Sequence, residues 1–167
     1  MTRILLAALS AAVLTASLAS AQEHDYLYNF FDFGGYPAEV VDLIELAQLD
    51  RTSTLPYWEH LDAIVEARLN GPNYAGHYAV TTWGCGTECQ TGVAIDLLTG
   101  VVTEFPTTSY GASFYPDSRL LVTNTDIGGL DSDIPEWLTH QYFVIEGNQF
   151  VFLRDRSARN SFVDGGE

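Results

Sequence analysis

From Gly76 onward apolar and polar residues alternate with a period of two, whereas before Gly71 apolar positions recur three and four residues apart. That change of period divides the chain into a helical first part and a strand-rich second part. Val40, Leu43, Ile44 and Ala47 follow Pro37, with Glu39 and Asp42 in the early turns, and predict a helix over residues 37–49. Leu61, Ile64, Val65 and Leu69 predict a second helix over residues 56–69, with Thr54 as its cap and Asn70-Gly71-Pro72 as its stop. Strand patterns cover residues 77–83, 93–97, 101–105, 119–123, 141–145 and 149–153. Pro106 ends the third of these, and Tyr115-Pro116-Asp117-Ser118 is a turn before the fourth. The last two are joined through Glu146-Gly147-Asn148, whose Gly-Asn pair suits a tight primed turn. Both are apolar on both faces, which predicts that helices or the aromatic N-terminal arm cover them. The sum is an α+β domain: two N-terminal helices packed on one face of a curved, mainly antiparallel sheet of five to six strands.

The N-terminus changes the picture. A short positive start at Arg3, an apolar run from Ile4 to Leu18 and the small-x-small triplet Ala19-Ser20-Ala21 form the pattern of a secretory signal peptide cleaved after Ala21. The run is short for a spanning helix and is followed by polar Gln22-Glu23-His24-Asp25, so stable membrane insertion is not expected. The predicted organisation is a signal over residues 1–21, an acidic aromatic arm over 22–36, one domain over 37–154 and a frayed tail over 155–167. The arm carries Tyr26, Tyr28, Phe30, Phe31, Phe33 and Tyr36, six rings expected to pack rather than stay in water. A periplasmic or secreted location follows.

Charge narrows the partners. Seven basic residues, all arginine, stand against 22 acids, for a net charge of −15 over 167 residues. That excludes a general nucleic-acid binder, which needs a basic face, and favours a basic partner.

In an oxidising compartment the two cysteines of Gly84-Cys85-Gly86-Thr87-Glu88-Cys89 read as a structural disulfide. A zinc site would need two more ligands, with only His77 nearby, and a redox dithiol has two intervening residues where this pair has three. The five-residue ring constrains little unfolded chain, so its stabilisation is about 2 kcal/mol. It stiffens one loop more than it staples a fold.

Gly71-Pro72-Asn73-Tyr74-Ala75-Gly76-His77-Tyr78, Trp83-Gly84-Cys85-Gly86-Thr87-Glu88-Cys89-Gln90, Asp96-Leu97-Leu98-Thr99-Gly100 and Asp117-Ser118-Arg119-Leu120-Leu121 together span residues 71–123. This string resembles the core of a group of small exported bacterial proteins to which no activity is assigned, so the resemblance implies a class and no mechanism. The layout of strand, short disulfide-closed loop and strand is also similar to bacterial inhibitors of vertebrate-type lysozyme. In those inhibitors the loop enters the enzyme's cleft; they have four residues between the cysteines and a central His absent here. What this similarity implies is a stiff acidic loop, with Glu88 as its charge, and a basic lysozyme-like partner.

The remaining chemistry is sparse. No nucleophile elbow, zinc-protease, P-loop or dinucleotide fingerprint occurs. His77 reads as a hydrogen-bonded structural residue or a general base, Asp96 with Thr99-Gly100 as a turn cap, and Trp83 as a core anchor or a contact ring. The oxygen-rich segment 124–136 fails calcium-loop spacing, with Gly128 and Pro135 where ligands belong, and reads as a surface loop. No cofactor, metal or catalytic set is expected. The leading expectation is an exported, non-enzymatic binding or inhibitor-like protein using Cys85–Cys89, Gly86, Thr87 and Glu88 with Trp83 and His77 nearby. The alternative is a small envelope hydrolase or carbohydrate-acting enzyme using His77 with Asp96 or Glu88.

Overall fold

The computed structural model describes residues 26–42, 45–130 and 133–161. The predicted signal and residues 22–25 of the arm lie outside them. Two compact units divide between Gly35 and Tyr36. In the first, residues 26–30 are helical and a 3-10 turn follows at Phe33–Gly35. Its rings pack on one another: Tyr26 stacks on Phe30 at 5.7 Å, and Phe30 meets Phe31 edge-on at 4.8 Å. Phe31 and Phe33 are buried, as the arm's composition requires.

The second unit is α+β, with seven antiparallel strands in two sheets. The strands are β1 (Tyr78–Gly86), β2 (Cys89–Asp96), β3 (Val102–Thr108), β4 (Ala112–Phe114), β5 (Leu120–Thr123), β6 (Thr139–Glu146) and β7 (Gln149–Ser157). Their orders are β1-β2-β3 and β4-β5-β6-β7, so the one curved sheet expected is two. Alternation along the first sheet explains why it is buried on both faces. Tyr78, Val80, Ala94 and Phe105 point one way and meet Leu121 and Ile145 of the second sheet, with Phe114, Phe143 and Phe150 around them. Ala79, Val93, Ile95 and Val102 point the other way and meet Ile64 of the helix over Leu61–Asn70, here α2. Each large side chain fully buried there, such as Phe105 or Ile64, contributes about 1.5–3 kcal/mol.

The helical part begins earlier than its pattern predicts. Asp50, not Thr54, is the cap: its Oδ1 accepts from Ser53 N at 2.8 Å and opens α1 (Arg51–Thr54). A 3-10 stretch, Leu55–His60, leads into α2, which stops at Gly71 with φ 86° as Asn70-Gly71-Pro72 requires.

The helix expected over residues 37–49 does not form; Leu43 and Ile44 lie outside the described residues. Its backbone donors bond the domain instead of one another. Ala38 N reaches Asp117 O at 2.8 Å, Val41 N reaches Gly76 O at 3.1 Å, and Ala47 N reaches Leu97 O at 3.0 Å. Arg68 of α2 locks the segment by donating to Leu46 O and Ala47 O at 2.9 and 2.8 Å. Tertiary bonds and the burial of Leu46 and Leu49 against α2 outweigh a helical preference of a few tenths of a kcal/mol per residue.

Three smaller expectations also change. Pro106 does not end β3: it sits in a register shift on an edge strand, where a missing N–H costs no ladder bond. Burial of the last hairpin holds for Tyr142, Val144 and Ile145, but β7 is an edge strand and leaves Val151, Phe152 and Leu153 exposed. Of the predicted frayed tail, residues 155–161 are ordered into β7 and a 3-10 turn, and residues 162–167 lie outside the described residues. β7 runs to Ser157, Ala158 is buried with its N–H on Leu138 O, and Arg159 donates to Ile134 O at 2.8 Å. The hairpin turn itself is as expected, with Gly147 and Asn148 at φ 53° and 61°.

Candidate functional site

Most of the residues that make the sequence distinctive have a structural task. Asn73 behaves as a short strand segment: its Oδ1 accepts from Val80 N at 2.7 Å and its Nδ2 donates to Val80 O at 3.0 Å. Tyr74 is fully buried and donates its hydroxyl to Arg119 O at 2.6 Å, while Tyr78 donates to Asn148 Oδ1 at 2.9 Å and ties the two sheets. Gly76 is at φ 85°, and a Cβ there would overlap Glu39 O. Asp96 accepts from Leu98 N at 2.9 Å and Thr99 Oγ1 at 2.7 Å, the turn-capping role its spacing predicts. Ser118 Oγ accepts from Leu120 N at 3.2 Å to start β5.

The outer end of the β1–β2 hairpin is different. Burial falls from the base, where Tyr78–Val80 and Val93–Asp96 are inside, to the tip, where Gly84, Cys85, Gly86, Thr87 and Glu88 are all exposed. The strands pair from Tyr78↔Asp96 to Gly84↔Gln90, then skip Cys85 and pair Gly86↔Cys89. Cys85 and Cys89 are disulfide-bonded with Cα atoms 5.1 Å apart. Gly86 at φ 146° and Glu88 at φ 50° let the chain reverse through Thr87-Glu88. Glu88 is the acid at the apex.

Beside the tip is an open cleft of about 400 Å³, lined by Thr82, Trp83, Glu88, Gln90 and Ser109 among others. Trp83 is half-buried. It packs toward the helix-side core and stacks on His60 at 4.0 Å with planes 16° apart, with Tyr57 at 6.3 Å. It is therefore both an anchor and an accessible ring. Opposite, burial and then the charge and hydrogen bond of Glu88 push the Tyr110 phenol above its ordinary range, which places Glu88 against the 109–111 turn. Asn124 shapes that turn: its Oδ1 accepts from Ser109 N at 2.8 Å and Tyr110 N at 3.2 Å.

The predicted set is brought together only in part. Cys85, Gly86, Thr87, Glu88 and Trp83 share the hairpin end. His77 precedes β1 at its other end, eight residues from Cys85 and thus about 26 Å away along a strand. His77 instead lies 3.7 Å from Asp96 Oδ1 and over the Tyr78 ring at 4.4 Å. Glu88 cannot serve His77. Sequence reasoning missed Ser109, which lines the cleft, His60, which stacks on Trp83, and Tyr110, which meets Glu88, because they come from other elements and no local spacing links them to the cysteines.

Of the segment 124–136, residues 131 and 132 lie outside the described residues; in the rest Asn124, Ile127 and Ile134 are buried, and Leu130 packs against the cluster of Ile127 and Ile134, so those parts are anchored rather than solvated. Among the described residues no group of three or more His, Cys, Asp or Glu gathers as a metal site, and no helix is long and apolar enough to cross a membrane. No family model, curated protein or solved structure matches the chain.

Proposed function

We propose that the protein is an exported binding protein that presents the Cys85–Cys89 hairpin tip, with Trp83 and Glu88 beside it, to a basic exported partner of the lysozyme type. One observation carries this reading: at the end of the β1–β2 hairpin, residues 84–88 are exposed one after another around a closed disulfide. A covalently closed five-residue tip loses little entropy when it enters a cleft, so its contacts translate into affinity. The net charge of −15 accelerates encounter with a basic enzyme and makes association salt-sensitive. The disulfide and the N-terminal apolar run support export. The hydrolase reading is less favoured, because both carboxylate oxygens of Asp96 already accept hydrogen bonds from its turn.

The test is biolayer interferometry against a vertebrate-type lysozyme, comparing oxidised protein, reduced and alkylated protein, and Glu88→Gln. Binding should weaken by about tenfold or more in the last two, equal to at least one decade of affinity per 1.4 kcal/mol lost. Equal binding by all three, or none by the oxidised protein, would refute this assignment of partner and site.

A further inference from the structure

A second surface lies on the helical segment, away from the tip. Leu61, Val65 and Leu69 are spaced by four along α2, and Leu55 and Trp58 lie in the kinked 3-10 stretch that precedes it. Spacing by four keeps the three α2 side chains on a single face of that helix. All five are exposed, at 42, 38, 65, 64 and 67% respectively, while Ile64 of α2 is fully buried. α2 thus has two apolar faces, one used by the sheet and one open. Single exposed apolar residues are ordinary, but a contiguous row at helical period marks a contact surface.

The charges beside the row select the occupant. Asp62 and Glu66 follow Leu61 and Val65, about 100° further round the helix, and both are exposed. Asp62 and Glu66 are four apart, a like-charge pair that weakens the helix by a few tenths of a kcal/mol. Arg68, on the other border, is held by the backbone of Leu46 and Ala47. A second copy would set acid against acid on a chain of net charge −15, and an anionic lipid surface would be repelled. A helix with an apolar seam and lysine or arginine flanks satisfies both features and relieves the Asp62–Glu66 repulsion.

We propose that the Leu61–Leu69 face of α2 docks a cationic amphipathic helix, a site separate from the disulfide tip. The row from Leu61 to Leu69 extends about 12 Å along α2, enough for two turns of a partner helix. The probe is a fluorescein-labelled 14-residue leucine/lysine peptide (~14 residues, about four turns) with leucines at helical spacing, read by anisotropy. Its control has the same composition with leucines at alternate positions. The helical peptide should bind, gain helicity by circular dichroism, and release as salt rises. Leu61→Gln with Leu69→Gln should weaken it by about tenfold or more, with an unchanged melting curve because both positions are exposed. Asp62→Asn with Glu66→Gln should weaken it and flatten the salt dependence, and Glu88→Gln should leave it unchanged. Equal binding of both peptides, insensitivity to the leucine pair, or equal loss in Glu88→Gln would overturn the site. A self-association that the leucine pair abolishes, seen by sedimentation velocity, would assign the face to a second copy and overturn it likewise.

Discussion

Removing the Asn124 side chain tests what holds the far wall of the cleft. Asn124 is buried at φ 58°, a left-handed conformation that costs an alanine about 1 kcal/mol and a glycine nothing. Its Oδ1 accepts from Ser109 N and Tyr110 N at 2.8 and 3.2 Å, and its Nδ2 donates to Thr139 O at 2.8 Å. Truncation leaves two N–H groups and one carbonyl without that partner. At about 1 kcal/mol each where water can partly re-enter, Asn124→Gly should cost about 3 kcal/mol. Asn124→Ala should cost about 1 kcal/mol more, the difference isolating the backbone conformation. Urea unfolding with a shared m-value reads both, and hydrogen exchange should show faster exchange at the Ser109 and Tyr110 amides. A loss below about 1 kcal/mol in Asn124→Gly would show that the turn is held by something else, and the Glu88–Tyr110 contact could not be credited to Asn124.

Three further outcomes are expected. Replacing both cysteines by serine should lower stability by about 2 kcal/mol, the closure entropy of a five-residue ring; a loss above about 4 kcal/mol in urea unfolding would mean the tip supports the fold after all. Gly100→Ala should destabilise by about 3 kcal/mol or more, because φ is 80° and a Cβ would overlap Gln48 O; a melting temperature within a few degrees of the parent would refute the close approach. Burial holds the His140 imidazole below its ordinary range, so the unfolded chain takes up a proton near about pH 6.5 that the folded protein refuses. Stability present above that pH should therefore fall as pH drops, by up to about 1.4 kcal/mol per unit, and His140→Gln should flatten the slope just below about pH 6.5; an unchanged slope would refute it.

The strand-rich half was legible because its signals are local. A period of two, a Gly-Asn turn and Pro-Asp punctuation are written in neighbouring residues, and all but the three-residue β4 followed from them. The segment 37–49 was misread because apolar spacing reports which side chains are buried, not where the backbone donors go. Ala38, Val41 and Ala47 have partners at Asp117, Gly76 and Leu97, and those distant residues decide the conformation. The division into two sheets was illegible for the same reason. β3 and β4 are neighbours in sequence, yet their register ladders are separate, and alternation alone does not say which strands pair.

The site shows the same limit from the other side. Cys85–Cys89 and Glu88 were legible because a ring closed over three intervening residues needs no tertiary information. His77 was assigned to the tip on nearness in sequence, but an extended strand separates residues faster than any other element, and eight positions carry it to the opposite end of the hairpin. His60, by contrast, is 23 positions from Trp83 and lies 4.0 Å from it. The stacked Trp83–His60 pair thus joins the outer part of the β1–β2 hairpin to the 3-10 stretch before α2, two elements that the sequence keeps apart. His60→Ala should then loosen Trp83 without touching Cys85 or Leu61. If Trp83 fluorescence were unchanged in that variant, the stacking on His60 would not be what holds the indole in place.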